Sequence, residues 1–576
     1  MMLKLFRHMR PYRTAVLLVL LFTFFQAMSE LYLPTLMADI VDIGIVKGDI
    51  PYIWQVGGFM LAVAAGGMLC SIVASYLAAK SASGFGKLLR GKVFSHVENF
   101  TLQEFDKIGT SSLITRTTND ITQVQQVTIM ILRMLALAPM MCIGGIIMAV
   151  SRDPGLTTVL IAVLPVLALA IFMIAKKGIP LFKVIQVKID TLSRVMRESL
   201  TGIRVIRSFN RTEHEKARFD DANEDLTQTS IKVNKIMGAM MPVMMLIMNF
   251  ATLAIVWFGG HRIEEGHMQV GDLMAFLQYA MMIMFSLIMV SVMFVMIPRA
   301  QASAVRINEV LGMMPEMSDP EAASGPAARK GYISFENVTF YYPGAEEPAI
   351  SNISFEAGPG EITAVIGGTG SGKSTLISLI PRFYDVTSGG IRIDGIDIRE
   401  MKQEELRSKI GFVPQKALLF TGSIADNIRY GKEDATDEEI RHAAKVAQAD
   451  EFIASMEGGY DAEIAQGGSN VSGGQKQRLS IARALVRRPE VYVFDDSFSA
   501  LDFKTDAKLR AALKQETTES SVLIVAQRVS TVMDADRIIV LDQGKVAGIG
   551  THAELMDSCM VYREIVSSQL SEEEIA

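Results

Sequence analysis

Cysteine is scarce in this chain of 576 residues, which has only Cys70, Cys142 and Cys559, far apart from one another. Scattered thiols of this kind favour neither a disulfide framework nor a zinc site. The C-terminal half also lacks a clustered basic face, and in the whole chain 62 acidic residues outnumber 56 basic ones. The formal net charge of -6 therefore argues against a nucleic-acid partner.

The N-terminus has no signal-peptide cleavage motif. Its basic lead, MMLKLFRHMRPYRT, looks like the start of a signal peptide, but no small-residue cleavage site follows it and further apolar segments do. We therefore expect this lead to lie on the cytoplasmic membrane surface and to run into a first transmembrane helix.

Long apolar runs, by contrast, are abundant, and nearly all of them precede residue 300, whereas most acidic residues follow it. A length of 576 residues predicts two to four domains. A helix needs about 20 apolar residues to cross the hydrocarbon core. Six segments meet that requirement, at about 15–38, 53–79, 130–150, 156–175, 236–260 and 273–298.

The distribution of lysine and arginine predicts how these spans are oriented. The N-terminal lead and the two long connections, 80–120 and 176–235, are basic, and the three short connections carry few charges. The positive-inside rule then places both termini and both long connections in the cytoplasm. The connections read as helical extensions below the bilayer, and the apolar spacing from Val195 to Phe219 predicts a helix that continues from a span and turns back.

Two features of the predicted spans bear on a substrate pathway. Glu30 is an acidic residue well inside the first span, which by default suggests a function, although it could equally reach the outer interface or a watery crevice without touching substrate. Methionines are frequent in spans five and six. Their flexible thioethers suit a surface that accepts varied apolar ligands, but packing against lipid or the core explains most of them as well.

The stretch GGTGSGKS at 367–374 follows the short apolar run at 362–366 and has the spacing of a phosphate-binding loop. In such a loop the glycines let backbone N–H groups converge on phosphates, the lysine reaches the β- and γ-phosphates, and the following hydroxyl binds Mg²⁺. An apolar helix start beginning at Thr375 gives the motif its expected context of strand, loop and helix. The pattern predicts binding of a nucleotide and Mg²⁺ by Gly367, Gly368, Thr369, Gly370, Ser371, Gly372, Lys373, Ser374 and Thr375.

The expected fold is therefore multi-domain. An all-α polytopic membrane domain at 1–311, with six transmembrane helices extended into the cytoplasm, is followed by an α/β P-loop domain at 331–576. Residues 312–330, rich in Pro, Gly, Ala and Ser, are predicted to be a linker.

The order of motifs after residue 331 is distinctive. An alternating segment from Tyr332 to Tyr342 is predicted to be an edge strand, and after the phosphate loop come GFVPQ, VSGGQ, VYVFDD, SALD and VAQRVST. Together these motifs resemble an ATP-binding cassette (ABC) domain. The six preceding spans with two long cytoplasmic connections resemble those of an ABC exporter half-transporter, so the resemblance covers the whole chain.

The resemblance implies roles for individual residues. Tyr342 would stack on adenine. Gln415 would join Ser374 around Mg²⁺ while sensing the membrane domain, and Asp495, at the end of a strand, would supply a carboxylate for the same ion.

The resemblance also implies a second chain. Ser472, Gly473, Gly474 and Gln475 would open a helix whose N-terminus faces the γ-phosphate of ATP held by another subunit. Two cassettes would then bury two ATP molecules head to tail. In this family, short helices of the membrane domain dock onto the cassettes. The resemblance therefore predicts coupling turns near 102–107 and 208–215, with Phe105 and Phe209 as anchors.

Three positions depart from the family pattern. Asp496 stands where the family usually has the glutamate that orients the attacking water, and it is about 1.5 Å shorter, whereas a misplacement of about 1 Å can already cost 10²-fold in rate. Gln527 replaces the switch histidine and cannot carry positive charge. Gln466 also stands where similar exporters often have glutamate. We interpret these changes as a degenerate ATP site in one half of an asymmetric pair.

The sequence thus predicts one subunit of a heterodimeric exporter, similar to the bacterial multidrug type, in a bacterial cytoplasmic membrane. Its partners would be a half-transporter with a Glu/His hydrolytic site, the lipid bilayer and a small amphipathic substrate. A homodimeric lipid or peptide exporter and an ATP-gated channel or regulator remain alternatives. A soluble mechanical ATPase is excluded by the six spans.

Overall fold

The computed structural model of the chain describes residues 1–314, 317, 319–320 and 330–570. Most of the predicted linker at 312–330 therefore lies outside the described residues. The N-terminal part is helical almost throughout, with α1 (Met2–Phe6), α2 (Arg13–Asp39), α3 (Ile50–Glu98), α4 (Leu102–Ile108), α5 (Thr110–Thr115), α6 (Ile121–Met130), α7 (Ala136–Arg152), α8 (Pro154–Thr201), α9 (Ile203–Ser208), α10 (Thr212–Gly238), α11 (Met240–Glu264) and α12 (Val270–Gly312).

Six helices in the described part of the chain are long and apolar enough to cross a membrane, as the sequence predicts. Several run far beyond a bilayer's thickness: α3 has 49 residues and α8 has 48, which at about 1.5 Å per residue is roughly 70 Å. The predicted helical extensions of the spans are thus present.

The end of the second extension turns within the range predicted for a coupling turn, 208–215. The short helix α9 covers Ile203–Ser208, and α10 begins at Thr212. The chain turns at 209–211, where Asn210 adopts a left-handed φ of 52°. Asparagine tolerates that conformation better than most residues, so it closes the hairpin in three residues.

Strands and further helices make up the C-terminal part. The strands are β1 (Ile333–Phe340), β2 (Ile350–Ala357), β3 (Ile362–Gly367), β4 (Ser388–Ile393), β5 (Ile396–Asp397), β6 (Ile410–Val413), β7 (Gly422–Ser423), β8 (Glu463–Ile464), β9 (Val491–Asp495), β10 (Ser521–Val525), β11 (Arg537–Asp542) and β12 (Lys545–Gly550). The helices are α13 (Lys373–Leu379), α14 (Gln403–Ser408), α15 (Ile424–Arg429), α16 (Asp437–Val446), α17 (Asp450–Ser455), α18 (Gly473–Leu485), α19 (Phe503–Glu516), α20 (Val529–Val532), α21 (His552–Ser558) and α22 (Met560–Gln569).

The central sheet has the order β12-β11-β3-β10-β9-β6, parallel except for β12. Its two faces pack into different apolar clusters: Tyr492 and Phe494 of β9 point into one, and Val491 and Val493 into the other. Burial of both faces explains the short, continuously apolar strands in the sequence. Their carboxyl ends, including that of β3 before the phosphate loop, meet along one edge of the sheet.

One strand prediction is wrong. The segment after Tyr332 was expected to be an edge strand, but β1 pairs with β2 on one side and with β4 on the other in the sheet β2-β1-β4-β5. Alternating polarity reports a strand with one exposed face and gives no information about how many neighbours the strand has.

The structure divides into two compact units. The first consists of 1–99 and 109–314, and the second joins 100–108 to the C-terminal part of the chain. Helix α4, which contains Phe105, therefore belongs to the second unit.

Candidate nucleotide site

The phosphate loop lies between β3 and α13, as predicted. Gly370 and Gly372 have left-handed φ values of 81° and 95°. A Cβ on Gly372 would lie 2.8 Å from the carbonyl oxygen of Ala349, and a Cβ on Gly367 would lie 2.2 Å from that of Leu541. Positions 367 and 372 require glycine because a side chain there would displace the neighbouring backbone, and the φ of Gly370 favours glycine as well. Without side chains, the loop's own N–H groups stay accessible.

Lys373 is the buried cation of this loop, with 9 % of its surface exposed. Its Nζ donates hydrogen bonds to the carbonyl oxygens of Gly367, at 2.8 Å, and Gly368, at 2.7 Å. Burial lowers the pKa of the Lys373 amine, and the nearby carboxylates of Asp496 and Asp495 oppose that shift. A cation held by carbonyl oxygens, inside a glycine loop, fits the triphosphate of a nucleotide.

Two of the three residues expected to bind Mg²⁺ meet at the end of β9: Ser374 Oγ donates to Asp495 Oδ1 at 3.3 Å. The third, Gln415, donates instead to Asp496 Oδ2 at 3.3 Å. Burial raises the pKa of Asp495, and the Ser374 hydrogen bond partly offsets the rise. One hydroxyl and one carboxylate beside a phosphate loop suit Mg²⁺, which is usually held by one or two protein oxygens together with phosphate and water.

Asp496 is the centre of a hydrogen-bonded group that includes two of the predicted residues. Its Oδ2 accepts from Gln527 Nε2 at 3.0 Å and from Gln415 Nε2 at 3.3 Å. The residue is 9 % exposed and has a left-handed φ of 46°. Its backbone is fixed in that conformation, since Asp496 N donates to Val525 O at 2.9 Å and Ser499 Oγ donates to Asp496 O at 2.9 Å.

Sequence reasoning missed Gln569, the last residue of α22. Its Nε2 donates to the Gln527 carbonyl oxygen at 2.8 Å, and its Oε1 accepts from Val529 N at 2.8 Å. The side-chain amide thus bridges the backbone on both sides of Arg528 and completes the start of α20. No local pattern near the end of the chain signals this contact, because it joins residues 42 apart.

Tyr342, the predicted adenine platform, is 39 % exposed, and its hydroxyl lies 3.1 Å from Thr375 Oγ1. Tyr384 packs edge-on against its ring with centroids 5.6 Å apart. The Tyr384 hydroxyl donates to Asp106 Oδ2 at 3.3 Å, and burial raises the pKa of Tyr384 to about 12. A chain of contacts therefore links α4 to the predicted adenine position, and Tyr384 is a second residue that the sequence did not indicate.

The signature residues are Ser472, Gly473, Gly474 and Gln475 of the VSGGQ motif, and they lie at the start of α18, the signature helix. Ser472 is the N-cap: its Oγ accepts from Gln475 N at 3.3 Å, and the Gln475 side chain accepts from Ser472 N at 2.8 Å. This reciprocal capping box leaves an exposed helix N-terminus that suits an anion. A Cβ on Gly474 would lie 3.1 Å from the Ala500 carbonyl oxygen, so the close approach to the SALD segment favours glycine, while Gly473 has open space.

The remaining predicted residues lie elsewhere in the chain. Phe105 is half-buried and packs edge-on against Phe100, with centroids 6.3 Å apart. Phe209 is 73 % exposed. Glu30 is half-buried in α2 and accepts a 2.9 Å hydrogen bond from Gln26, whose Oε1 is buried without a partner among the described residues. Gln466 lies in a short 3₁₀ turn, Gln466–Gly468, ahead of the signature helix.

Comparison with known proteins identifies this combination of fold and site. The chain matches the ABC transporter transmembrane region over residues 16–287 and the ABC transporter ATPase domain over residues 350–499. An uncharacterized ABC transporter ATP-binding protein of Mycobacterium tuberculosis is 44 % identical over 574 residues, which is 99 % of this chain and 98 % of the relative. The chain therefore belongs to the ABC transporter family.

A further relative and a solved structure specify the class of ABC transporter. The ATP-dependent lipid A-core flippase of Chromobacterium violaceum is 30 % identical over 570 residues, covering 99 % of this chain and 97 % of the flippase. The structure of a bacterial Atm1-family ABC exporter with ATP bound has a TM-score of 0.81 and 26 % identity, covering 97 % of this chain and 99 % of that one. The protein is an ABC exporter half-transporter: an integral membrane protein with a six-helix transmembrane domain fused to an ATP-binding ATPase domain.

Proposed function

We propose that this chain is the degenerate-site subunit of a heterodimeric exporter that moves amphipathic or hydrophobic molecules, drugs among them, out across the bacterial cytoplasmic membrane. The observation that carries the proposal is the Asp496–Gln527 hydrogen bond of 3.0 Å. Two of the three departures from the family pattern, Asp496 and Gln527, meet in this one contact, so these two substitutions form one altered site.

The geometry supports slow hydrolysis in this chain's own site. One oxygen of the short Asp496 carboxylate accepts from both Gln527 and Gln415, and those amides compete with a water molecule for it. A neutral amide at position 527 also supplies less stabilisation than an imidazolium for the negative charge that develops on the transferring phosphoryl group. The rest of the binding machinery, Lys373, Ser374 and Asp495, is complete, so this site binds ATP and turns it over poorly.

The partner in this proposal is a different half-transporter with glutamate and histidine at the corresponding positions. Ser472 and Gly474 of this chain complete the partner's productive site, since the capped N-terminus of α18 is exposed and intact. When bound, Mg²⁺ neutralises phosphate charge, and Ser374 and Asp495 are the residues of this chain placed to hold it.

The test is a turnover assay on the purified chain in lipid nanodiscs, paired with photolabelling by an azido-ATP. We expect strong labelling and ATP hydrolysis near background. A homodimer with turnover typical of enzymes, about 1 to 10³ per second, contradicts the proposal. The flippase relative makes a homodimeric lipid exporter the second candidate, and that candidate requires the chain to hydrolyse ATP without a partner.

Transport itself needs its own measurement. ATP-dependent uptake of a cationic dye into inside-out vesicles that contain the reconstituted pair distinguishes an exporter from an ATP-gated channel, because a channel gives no accumulation against a gradient. A screen of lipids, peptides and drugs for ATPase stimulation then identifies the transported class.

A further inference from the structure

A cavity of about 670 Å³ lies between the N-terminal segment, the start of α2 and the region where α6 passes into a π-helical turn. Its lining has a simple composition of three arginines, one threonine and seven apolar residues. The lining consists of Leu3, Phe6, Arg7, Met9, Arg10, Arg13, Val16, Leu17, Thr128, Ile131 and Leu132. No carboxylate is among these described lining residues.

The depth of the cavity can be counted along two helices. The positive-inside rule predicts that α7 ends at Arg152 on the outer side. From Arg152 to Leu132 is 20 residues of helix, or about 30 Å, which equals the thickness of the hydrocarbon core. With the same orientation Arg13, the first residue of α2, begins the first span at its inner end. Both counts place the cavity at the inner boundary between acyl chains and headgroups.

The three arginines of the cavity have no partners. Among the residues that the structure describes, Arg7, Arg10 and Arg13 form no ion pair and no side-chain hydrogen bond, and all three are exposed. By contrast, Arg152 pairs with Asp272 at 2.8 Å and Arg262 pairs with Asp153 at 2.7 Å in the same domain. The N-terminal guanidinium groups are therefore available to an anion from outside the chain.

We propose that this cavity binds one anionic phospholipid of the inner leaflet, with its headgroup phosphate on the arginines and an acyl chain on the apolar floor. Guanidinium groups pair with phosphate through two parallel hydrogen bonds, which gives the site its preference for anionic headgroups. The floor of Leu3, Phe6, Val16 and Leu17 has no complement in a free phosphate ion, but it matches a hydrocarbon chain. Thr128 offers no competing polar group, because its hydroxyl already donates to Val124 O at 2.7 Å.

This site is distinct from the nucleotide site, and it does not depend on the heterodimer proposal. The lipid joins the N-terminal segment to α6, two elements far apart in sequence. Lipid composition would then affect how firmly the first span packs against the third.

The experiment is native mass spectrometry of the full-length chain, released from detergent that contains equimolar phosphatidylglycerol and phosphatidylcholine. We expect wild type to retain one phosphatidylglycerol in preference to phosphatidylcholine. Each arginine near an anionic headgroup contributes about fivefold, so Arg10→Ala with Arg13→Ala should reduce the preference about 25-fold. High salt should weaken the preference in wild type more than in the double variant, which keeps only Arg7 of the three arginines.

Lys4→Ala is the matched control, since it removes one charge from the same N-terminal segment outside the cavity lining, and it should leave the preference unchanged. Arg10→Gln alone, about fivefold weaker, covers the case in which the double variant does not fold. Equal retention of the two lipids by wild type overturns the proposal. So does an equal loss in Lys4→Ala, which would indicate diffuse surface charge, and so does displacement of the lipid by millimolar inorganic phosphate, which would indicate a simple anion site.

Discussion

The side-chain amide of Gln527 donates a 3.0 Å hydrogen bond to the carboxylate of Asp496. In the sequence the two positions are 31 residues apart and appear as separate departures from the family pattern. In the structure they form a pair, and the pair is supported from both sides: Gln415 donates to the same carboxylate oxygen, and Gln569 holds the Gln527 backbone.

If this pair limits hydrolysis, restoring both residues should increase it. We expect Asp496→Glu with Gln527→His to raise the ATP turnover of the chain alone about 10²-fold, because the carboxylate moves about 1.5 Å towards the attacking water. The measurement is phosphate release at saturating ATP. Each single change is the control, and full recovery by Asp496→Glu alone would show that the two positions act independently.

In the proposed heterodimer, reconstituted from both chains, ATP turnover should depend more on Ser472 than on Asp496 of this chain. Loss of one hydrogen-bond donor to a transition state costs about 10²- to 10³-fold in rate, so we expect Ser472→Ala to nearly abolish ATPase activity and Asp496→Asn to retain most of it. Ser472 also caps α18, and loss of a cap costs about 1 kcal/mol of stability.

Thr436→Ala separates these two effects of Ser472, because Thr436 forms the same capping box at α16. It should lose similar stability and keep its turnover. The opposite pattern, with turnover lost in Asp496→Asn and kept in Ser472→Ala, would mean that this chain's own site is the productive one.

Phe209 offers a test of coupling with little risk to folding. The side chain is 73 % exposed, so Phe209→Ala removes few contacts within the chain. We expect the heterodimer to assemble and hydrolyse ATP while transport per ATP falls. The reason is that an aromatic side chain buried on docking often dominates a small interface. Leu200→Ala, at a 70 % exposed position on the same extension, is the control. Unchanged transport stoichiometry in Phe209→Ala would reduce the residue to ordinary packing.

Gln569 should act on nucleotide retention through Gln527. Each lost hydrogen bond typically costs about 1 kcal/mol, so we expect ATP to dissociate from Gln569→Ala about fivefold faster or more, with an unchanged association rate. Gln569→Glu keeps the acceptor for Val529 N but places a carboxylate against the Gln527 carbonyl oxygen. ATP should therefore dissociate from this variant about as fast as from Gln569→Ala. Ser568→Ala is the neighbour control, because the Ser568 hydroxyl bonds only within α22, to Ile565 O. Equal ATP dissociation rates in all of these variants would exclude a role for the two Gln569 hydrogen bonds in nucleotide retention.

Much of the site could be predicted from the sequence because its features are local. The phosphate loop, the strand that delivers Asp495 and the cap at Ser472 each depend on a few consecutive residues. Contacts that join remote segments were missed or wrong. The two neighbours of β1 come from segments on either side of the phosphate loop, and the contacts of Gln569 and Tyr384 depend on how whole elements pack. Composition and periodicity describe one element at a time, so they cannot report such pairings.

The amide at position 527 also determines how the nucleotide contact at this position depends on pH. A histidine there would gain or lose its proton between about pH 6 and 8, and contact with nucleotide would vary with it. The glutamine side chain does not ionise in that range. The side chains that support it, Gln415 and Gln569, do not ionise either. The contact made by position 527 should therefore not change with pH. If the chain works with a histidine-bearing partner, as proposed above, only the partner's corresponding contact should respond to acid stress.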